Sequence, residues 1–353
     1  VKAQKAQEWK LVDTITKKSN YDETLKKIIE QNVKNDNSSK KGIKLNEINK
    51  QIINNDHIKY STVELLIDRS KKNAKIVIKS PELLKIDDEN DIIKQGDQFW
   101  LLRCARELDD ILLHLRFNEL DLGVIIFSSQ GSLSDVLFYD DLLHKYKSHW
   151  FLREIKHLWN RTLKRIDLTS RSLVTLIEPG SCFGGFLSEI IFASDRSYMA
   201  EGVFDESNDP EAKIALSKSN FNFFKMSNGI TRLETRFLNE TEKIKVLENR
   251  ICNELDSQMA LDMGLVTFSF DDIDWEDEVR IFLEERSSFS PDSMTGLEAN
   301  LRFAGPETME TKIFGRLTAW QNWIFQRPNA VGEEGALKKY GSGNRSKFNW
   351  ERV

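Results

Sequence analysis

A stretch in the middle of the chain, LVTLIEPGSCFGGFLSEIIFASDRSYM at 173–199, constrains the fold more than any other. Its first residues, 173–177, form an apolar run that is followed by Pro and Gly, which predicts a buried strand. A tight glycine turn is predicted over 179–185, and a helix over 186–194. A strand that passes through a short turn into a helix is the repeating unit of layered α/β folds, so we expect that architecture here.

The turn contains two adjacent glycines, Gly184 and Gly185, and admits two interpretations. Glycines let the backbone approach a ligand closely, and the following helix points its free N–H groups toward the same spot. Cys182, Gly184 and Gly185 are therefore candidates for an oxyanion loop, which holds developing negative charge on a carbonyl oxygen. The alternative is a plain strand-to-helix connection, which glycine pairs also form.

Composition argues against several classes of function. The 353-residue chain has a net charge of −5, so we expect no nucleic-acid partner and no membrane partner. No apolar run approaches the roughly 18 residues that a membrane span needs. The three cysteines, Cys104, Cys182 and Cys252, are widely spaced, without a CxxC motif or a nearby His pair. We therefore expect reduced thiols in a cytoplasmic protein, no metal site and no redox cofactor.

A short motif recurs at the two ends of the chain. Ala6 precedes Leu11-Val12, and Ala260 precedes Leu265-Val266. The recurrence indicates two related modules, of which the first is represented only by its tail, and chance recurrence is the alternative. The chain also opens without Met, inside a helical pattern, so we expect it to be part of a longer protein or to be processed.

These patterns predict four segments. The tail of a preceding module covers 1–32, and an Asn- and Lys-rich linker covers 33–60. A second module, with strands alternating with helices, covers 61–270, and a helical region covers 271–353.

The helical region contains a wide apolar stripe on a helix predicted over 309–325. The stripe includes Leu317, Trp320, Trp323 and Ile324. Such an aromatic face is too wide for a lone surface helix, so it is either part of a domain core or a subunit interface. The second interpretation makes 271–353 a dimerisation region and the protein a homodimer.

The glycine-turn stretch resembles the oxyanion-hole segment of the crotonase (enoyl-CoA hydratase) superfamily. In that family a strand enters a Gly-rich turn and then a helix with an early Glu and an Ala-x-Asp ending. Gly184-Gly185, Glu189 and Ala193-Ser194-Asp195 occupy those places. The resemblance implies a crotonase-like ββα superhelix and a coenzyme A thioester as substrate.

Longer runs at 296–321 and 317–353, together with 173–199, resemble the benzoyl-CoA-dihydrodiol lyase family, also called 2,3-epoxybenzoyl-CoA dihydrolases. The likeness extends along essentially the whole chain. It implies a C-terminal portion of a double-length crotonase relative that acts on an aromatic acyl-CoA in benzoate degradation. The implied reaction opens the oxygenated ring without molecular oxygen, to 3,4-dehydroadipyl-CoA semialdehyde and formate.

The same resemblance implies where catalysis resides. In that family the acid/base glutamate pair and an accessory cysteine belong to the first crotonase module, so no catalytic residue is expected in this span. Glu189 is the one candidate here, and the second acid position falls on 216–218, where Lys218 is a base. The ammonium group of a lysine in that place cannot accept a proton as a carboxylate does, which favours a degenerate module kept as scaffold. The alternatives are a self-contained enoyl-CoA hydratase or isomerase that uses Glu189, and a non-catalytic assembly module.

Overall fold

The computed structural model of this chain describes residues 1–34, 42–204 and 208–351. The chain divides into two compact units, Val1–Ile43 and Lys44–Val353. The first unit contains helix α1 (Ala3–Glu8), a 3-10 turn (Lys18–Asn20) and helix α2 (Tyr21–Lys34).

The second unit is built on a mixed sheet, which has eight strands within the described residues. The first four strands, β1 to β4, pair antiparallel, whereas β4, β5, β6, β7 and β10 run parallel in that order across the sheet. The remaining two strands form a small antiparallel sheet. The bounds of the ten strands are β1 (Gln51–Asn54), β2 (His57–Lys59), β3 (Val63–Asp68), β4 (Asn73–Lys79), β5 (Val124–Gln130), β6 (Ser172–Ile177), β7 (Arg196–Ala200), β8 (Ile214–Ala215), β9 (Glu254–Leu255) and β10 (Phe268–Phe270).

Strands β1 and β2 correct the prediction of a linker over 33–60. They add a hairpin to the edge of the sheet, where β2 pairs with β3. The sequence suggested a linker because Asn and Lys dominate it, but β1 is exposed at every residue and therefore has no need of an apolar face. Residues 35–41 of the predicted linker lie outside the described residues.

Two long helices cover one face of the sheet. The apolar side chains along α4 are buried, and α4 packs against α6, whose Trp159 indole N–H donates to the Leu101 carbonyl at 2.8 Å. This packing forms the main core of the second unit. The helices up to the glycine turn and just beyond it are α3 (Glu89–Gln95), α4 (Trp100–Asn118), α5 (Leu133–Lys145), α6 (Trp150–Asp167) and α7 (Ser188–Ala193).

The later helices are shorter, apart from α11, which contacts β5, β7 and β10. Two of them are extended by π-helical segments, Glu298–Arg302 after α12 and Thr311–Leu317 before α13. No helix among the described residues is both long and apolar enough to cross a membrane. The bounds are α8 (Arg232–Arg236), α9 (Thr241–Glu248), α10 (Ser257–Asp262), α11 (Asp272–Ser287), α12 (Pro291–Leu297), α13 (Thr318–Ile324), α14 (Pro328–Val331) and α15 (Ala336–Lys339).

The boundary predicted between 270 and 271 does not separate two bodies, because the helical region belongs to the same compact unit as the sheet. Polar contacts tie the two together. The Arg286 side chain donates to the Ser172 hydroxyl at 2.7 Å, at the start of β6. The Glu298 carboxylate accepts from the backbone N–H groups of Thr169 and Ser170 at 2.8 and 2.6 Å.

Candidate functional site

The glycine bend lies where the sequence placed it, at the carboxyl end of the buried central strand β6. Residues 179–194 are buried without interruption, through a short 3-10 turn (Gly185–Leu187) and into α7. The carboxyl ends of parallel strands are a common location for ligands in open α/β sheets. The position of the bend is therefore that of a binding site, and its surroundings decide whether a ligand fits.

Helix α5 occupies the space in front of both glycines. A Cβ at Gly184 would lie 2.6 Å from Leu133 Cδ1, and one at Gly185 would lie 2.5 Å from Asp140 Cγ. Gly185 also has a φ of +53°, a conformation that side-chain-bearing residues rarely adopt. The glycines are thus needed because α5 packs against them. The same helix occupies the space next to the glycines that a ligand would need.

Two backbone N–H groups of the bend already have acceptors inside the protein. The N–H of Cys182 donates to the Ser129 hydroxyl at 2.9 Å, and that of Phe186 donates to Asp140 Oδ1 at 2.9 Å. Burial also raises the pKa of the Cys182 thiol to about 11, which keeps it neutral at pH 7. An oxyanion hole needs donors directed at the substrate, and these two are directed at side chains.

Asp140 is the residue at this bend that sequence reasoning missed. Its side chain is buried, and burial raises the pKa of the carboxyl group to about 6. The hydroxyls of Ser217 and Ser219 and the Phe186 N–H oppose that shift by favouring the charged form. On the sequence Asp140 is one of two adjacent acids on a helix, and nothing there distinguishes it from its exposed neighbour Asp141.

Glu189, the one catalytic candidate, has a partner on each carboxylate oxygen. Arg232 Nη1 is 3.0 Å from Oε2, and the Asn220 amide donates to Oε1 at 2.9 Å. Arg232 in turn donates through Nη2 and Nε to Asp167 at 2.7 and 3.1 Å. None of these four residues is more than 1% exposed, so they form a closed polar cluster in the core.

The charges in this cluster do not balance, because Asp167 and Glu189 share one guanidinium group. Asp167 accepts from Arg232 with both carboxylate oxygens, whereas Glu189 accepts from Arg232 with one. Burial accordingly raises the pKa of Glu189 to about 7, against the opposing attraction of Arg232. A pKa near neutrality suits a general acid or base, but such a group must also reach the substrate, and Glu189 is 1% exposed.

Comparison with known proteins identifies the fold. No family model matches the chain. Two solved structures superpose on most of it: enoyl-CoA hydratase from Geobacillus kaustophilus HTA426 (TM-score 0.55, 15% identity, 83% of this chain and 98% of that one) and an enoyl-CoA hydratase/isomerase from Cupriavidus metallidurans CH34 (0.55, 14%, 88% and 99%). The chain has the crotonase fold. The predicted fold class is therefore confirmed.

A curated relative extends the likeness from fold to sequence. The chain is 42% identical to benzoyl-CoA-dihydrodiol lyase of Aromatoleum evansii over an alignment of 358 positions, which covers all of this chain. The predicted resemblance to that lyase is confirmed. The chain spans 63% of the length of the lyase, a coverage that fits a C-terminal portion.

The segment 216–218, where the resemblance predicts a second acid, contains no acid. Lys218 is exposed at the start of a short 3-10 turn (Lys218–Asn220). The residue of this turn that reaches Glu189 is Asn220, through its side-chain amide. Glu189 is therefore paired with an amide and a guanidinium, neither of which can act as a carboxylate partner in acid–base chemistry.

The predicted interface residues lie together on the surface of the C-terminal helices. The rings of Trp320 and Trp323 meet edge to face at 5.3 Å and line a surface cavity of about 380 Å³ with Thr295 and Ala319. Leu317 is 55% exposed, and Ile324 is half-buried. Further large apolar side chains are exposed on the same segment or just before it: Leu301, Met309, Ile313, Phe314 and Phe325.

The largest of the cavities described here, about 750 Å³, lies between α11 and the face of the sheet opposite α4. It contains cations, but they are paired: Lys75 lies 3.0 Å from Glu178, and Arg280 contacts Asp277 and Glu284. Among the residues that the structure describes, no group of three or more His, Cys, Asp or Glu side chains is arranged to hold a metal ion.

Proposed function

We propose that this chain is the C-terminal part of a ring-cleaving lyase, in which it serves as a scaffold without catalytic residues of its own. The substrate is 2,3-epoxybenzoyl-CoA or the corresponding dihydrodiol, and the products are 3,4-dehydroadipyl-CoA semialdehyde and formate. The catalytic residues belong to another crotonase-like module of the same enzyme. No cofactor is needed beyond the coenzyme A thioester of the substrate itself.

One observation carries the scaffold assignment. The glycine bend, which is the part of the chain that most resembles an active site, is occupied by Leu133 and Asp140 of α5. Glu189 behind it is held by Arg232 and Asn220. The similarity to benzoyl-CoA-dihydrodiol lyase supports the choice of reaction. The packed bend supports the assignment of catalysis to another module.

The test is the kinetic effect of Glu189→Gln in the lyase that contains this chain. Removing a general acid or base typically lowers the rate by about 10²–10⁴-fold. We expect kcat of the folded variant to stay within about twofold of the unsubstituted enzyme, with a lower thermal midpoint. Glu242→Gln, on the exposed helix α9, is the control for loss of a carboxylate without loss of packing. A hundredfold fall in kcat for the folded Glu189 variant would contradict the scaffold assignment.

A self-contained hydratase or isomerase is the competing proposal. It requires that the isolated chain hydrate crotonyl-CoA in a reaction that Glu189→Gln abolishes. We expect no turnover by either protein, because Leu133 and Asp140 crowd the two glycines and the N–H groups of Cys182 and Phe186 already have acceptors. Turnover by this chain that depends on Glu189 would establish the competing function.

We also propose that the chain associates into a homodimer through the C-terminal surface formed by Leu317, Trp320, Trp323 and Ile324. Exposed apolar side chains on one segment and a cavity lined by two tryptophans support this surface, since aromatic residues are enriched in protein interfaces. A cytoplasmic location is part of the same proposal. It is supported by the free thiols of Cys104, Cys182 and Cys252.

A further inference from the structure

A small cavity of about 240 Å³ lies away from the glycine bend, between the end of α7, helix α8 and the turn that follows Arg302. Three arginines line it: Arg232, Arg236 and Arg302. The one acid that lines it is Asp195. Its position joins two parts of the fold, because α8 belongs to the sheet-bearing core and Arg302 belongs to the C-terminal helical region.

Two of the three guanidinium groups are each paired with two acids. Arg232 is held by Asp167 and Glu189, as described above. Arg302 donates through Nη2 to both oxygens of Asp195, at 3.0 and 2.9 Å, and through Nη1 to Glu298 at 2.6 Å.

Arg302 nevertheless keeps one unused donor. Its side chain is only 6% exposed, and its Nε is buried without an acceptor among the described residues. A buried donor without an acceptor is uncommon in native proteins and calls for an unobserved partner.

The third guanidinium, Arg236, has no acid beside it. Its Nε donates to the Gly264 carbonyl at 2.6 Å, but within the described part of the chain neither Nη1 nor Nη2 has a hydrogen-bond acceptor. Arginine stays protonated in proteins, so Arg236 keeps its charge here. A partly buried cation without a counter-charge carries a desolvation cost that a bound anion would offset.

Asp195 cannot serve as that counter-charge. Both of its carboxylate oxygens accept from Arg302, and one of them also accepts from the backbone N–H of Leu173 at 2.8 Å. The cavity therefore combines an uncompensated guanidinium fork and the Thr235 hydroxyl, whose nearest partner is the Met226 sulfur at 3.5 Å. Both are donors.

We propose that this cavity binds a small oxyanion, a phosphate or carboxylate group, on the Nη1 and Nη2 donors of Arg236. The planar fork of a guanidinium matches the two oxygens of such a group, and charge-assisted bonds of this kind are the strong ones. A cavity of about 240 Å³ has room for the anion with some water, since a water molecule takes up about 30 Å³ of liquid volume. The bound anion bridges α8 and the C-terminal region. This inference does not depend on the proposed lyase function.

The experiment is calorimetric titration of the full chain with sodium phosphate and, separately, with sodium acetate, at constant ionic strength. We expect one anion per chain. Arg236→Gln should raise the dissociation constant at least tenfold, whereas Arg250→Gln, which removes an exposed arginine elsewhere, should leave it unchanged. Preference for phosphate identifies a phosphate group as the ligand, and preference for acetate identifies a carboxylate.

A second pair of variants tests the site without touching Arg236. Leu301 is 67% exposed and lines the cavity, so substitutions there are compatible with folding. Leu301→Glu places a competing carboxylate at the cavity and should weaken anion binding at least tenfold. Leu301→Gln is its neutral match and should bind as the unsubstituted chain does. Equal affinities in the unsubstituted chain, Arg236→Gln and Leu301→Glu, or no binding of either anion at tens of millimolar, would overturn the proposal.

Discussion

The interior around Gly185 and the surface of the helical segment at 309–325 differ in how far their side chains contact other residues of the chain. At the bend, helix α5 occupies the space in front of the glycines, and the buried carboxylates of Asp140 and Glu189 both accept hydrogen bonds. On the C-terminal segment, Phe314 is 71% exposed and Leu317 is 55% exposed. The part of the chain that looks most like an active site is fully buried, and the exposed apolar surface lies elsewhere.

Under the proposed scaffold function, that difference indicates which surface keeps a role when a module has no catalytic residues. A site that no longer binds substrate can gain packing, because nothing needs to enter it. Large aromatic and aliphatic side chains on a surface are costly to keep unless they meet a partner. We therefore attribute the bend to stability and the C-terminal surface to assembly, and four substitutions test this division.

The largest effect is expected from Arg232→Met, which leaves Asp167 and Glu189 buried without their shared cation. Breaking a buried ion pair by removing one partner typically costs about 3–5 kcal/mol of unfolding free energy. Urea unfolding monitored by tryptophan fluorescence measures the loss. Arg280→Met, which removes an exposed arginine that contacts Asp277 and Glu284, is the control and should cost far less, because exposed ion pairs are screened by solvent. Equal costs would show that the cluster around Glu189 is open to solvent.

The next effect concerns pH and Asp140, whose pKa is raised by burial to about 6 from its ordinary value of 3.8. A raised pKa means that the folded state binds the proton more tightly, so the stabilisation is complete below pH 3.8 and is lost as pH rises through about 6. The shift corresponds to about 3 kcal/mol at most. Asp140→Asn should remove this part of the pH dependence of the unfolding free energy, and the exposed neighbour variant Asp141→Asn should not. Identical pH profiles for the unsubstituted chain and Asp140→Asn would refute the assignment.

A smaller effect is expected from Gly185→Ala. The left-handed backbone at this position penalises any side chain by roughly 1 kcal/mol, and overlap with Asp140 adds an overpacking cost of about 1–3 kcal/mol. Gly202→Ala is the matched control, since Gly202 has a φ of +74° and open space around it. If the two variants lose the same stability, the bend faces a cavity and the oxyanion-loop hypothesis regains support.

The smallest change in folding stability, within about 0.5 kcal/mol, is expected from Leu317→Asp on the exposed C-terminal surface. Its effect should appear instead in association, as a dimer dissociation constant raised at least tenfold in sedimentation equilibrium. Leu337→Asp replaces an equally exposed leucine on α15 and should leave the dimer intact. A dimer unaffected by Leu317→Asp would move the interface away from this segment.

Local patterns in the sequence predicted the strand, the glycine turn and the helix of 173–199 because each depends on neighbouring residues. The apolar run, the glycine pair and the helical periodicity are all readable within a few positions. The hairpin of β1 and β2 was not predicted, because an exposed edge strand has the composition of a linker.

What the sequence could not provide is the partner of each polar side chain. Asp140 lies 46 positions before Phe186, whose N–H it accepts, and Glu189 lies 43 positions before Arg232. These contacts exist only after the strands and helices have packed. Residue types alone therefore left Glu189 as a catalytic candidate, although its carboxylate is enclosed.

The capping of the loop before β6 by Glu298 has a practical consequence for dissecting this protein. A version cut after β10 would leave the N–H groups of Thr169 and Ser170 without their acceptor and Asp195 without its guanidinium partner. The segment from β10 to Arg302 therefore cannot be trimmed away to obtain a minimal crotonase module. It completes the entry into the central strand, so a tag, a fusion or a proteolytic cut should not fall within it.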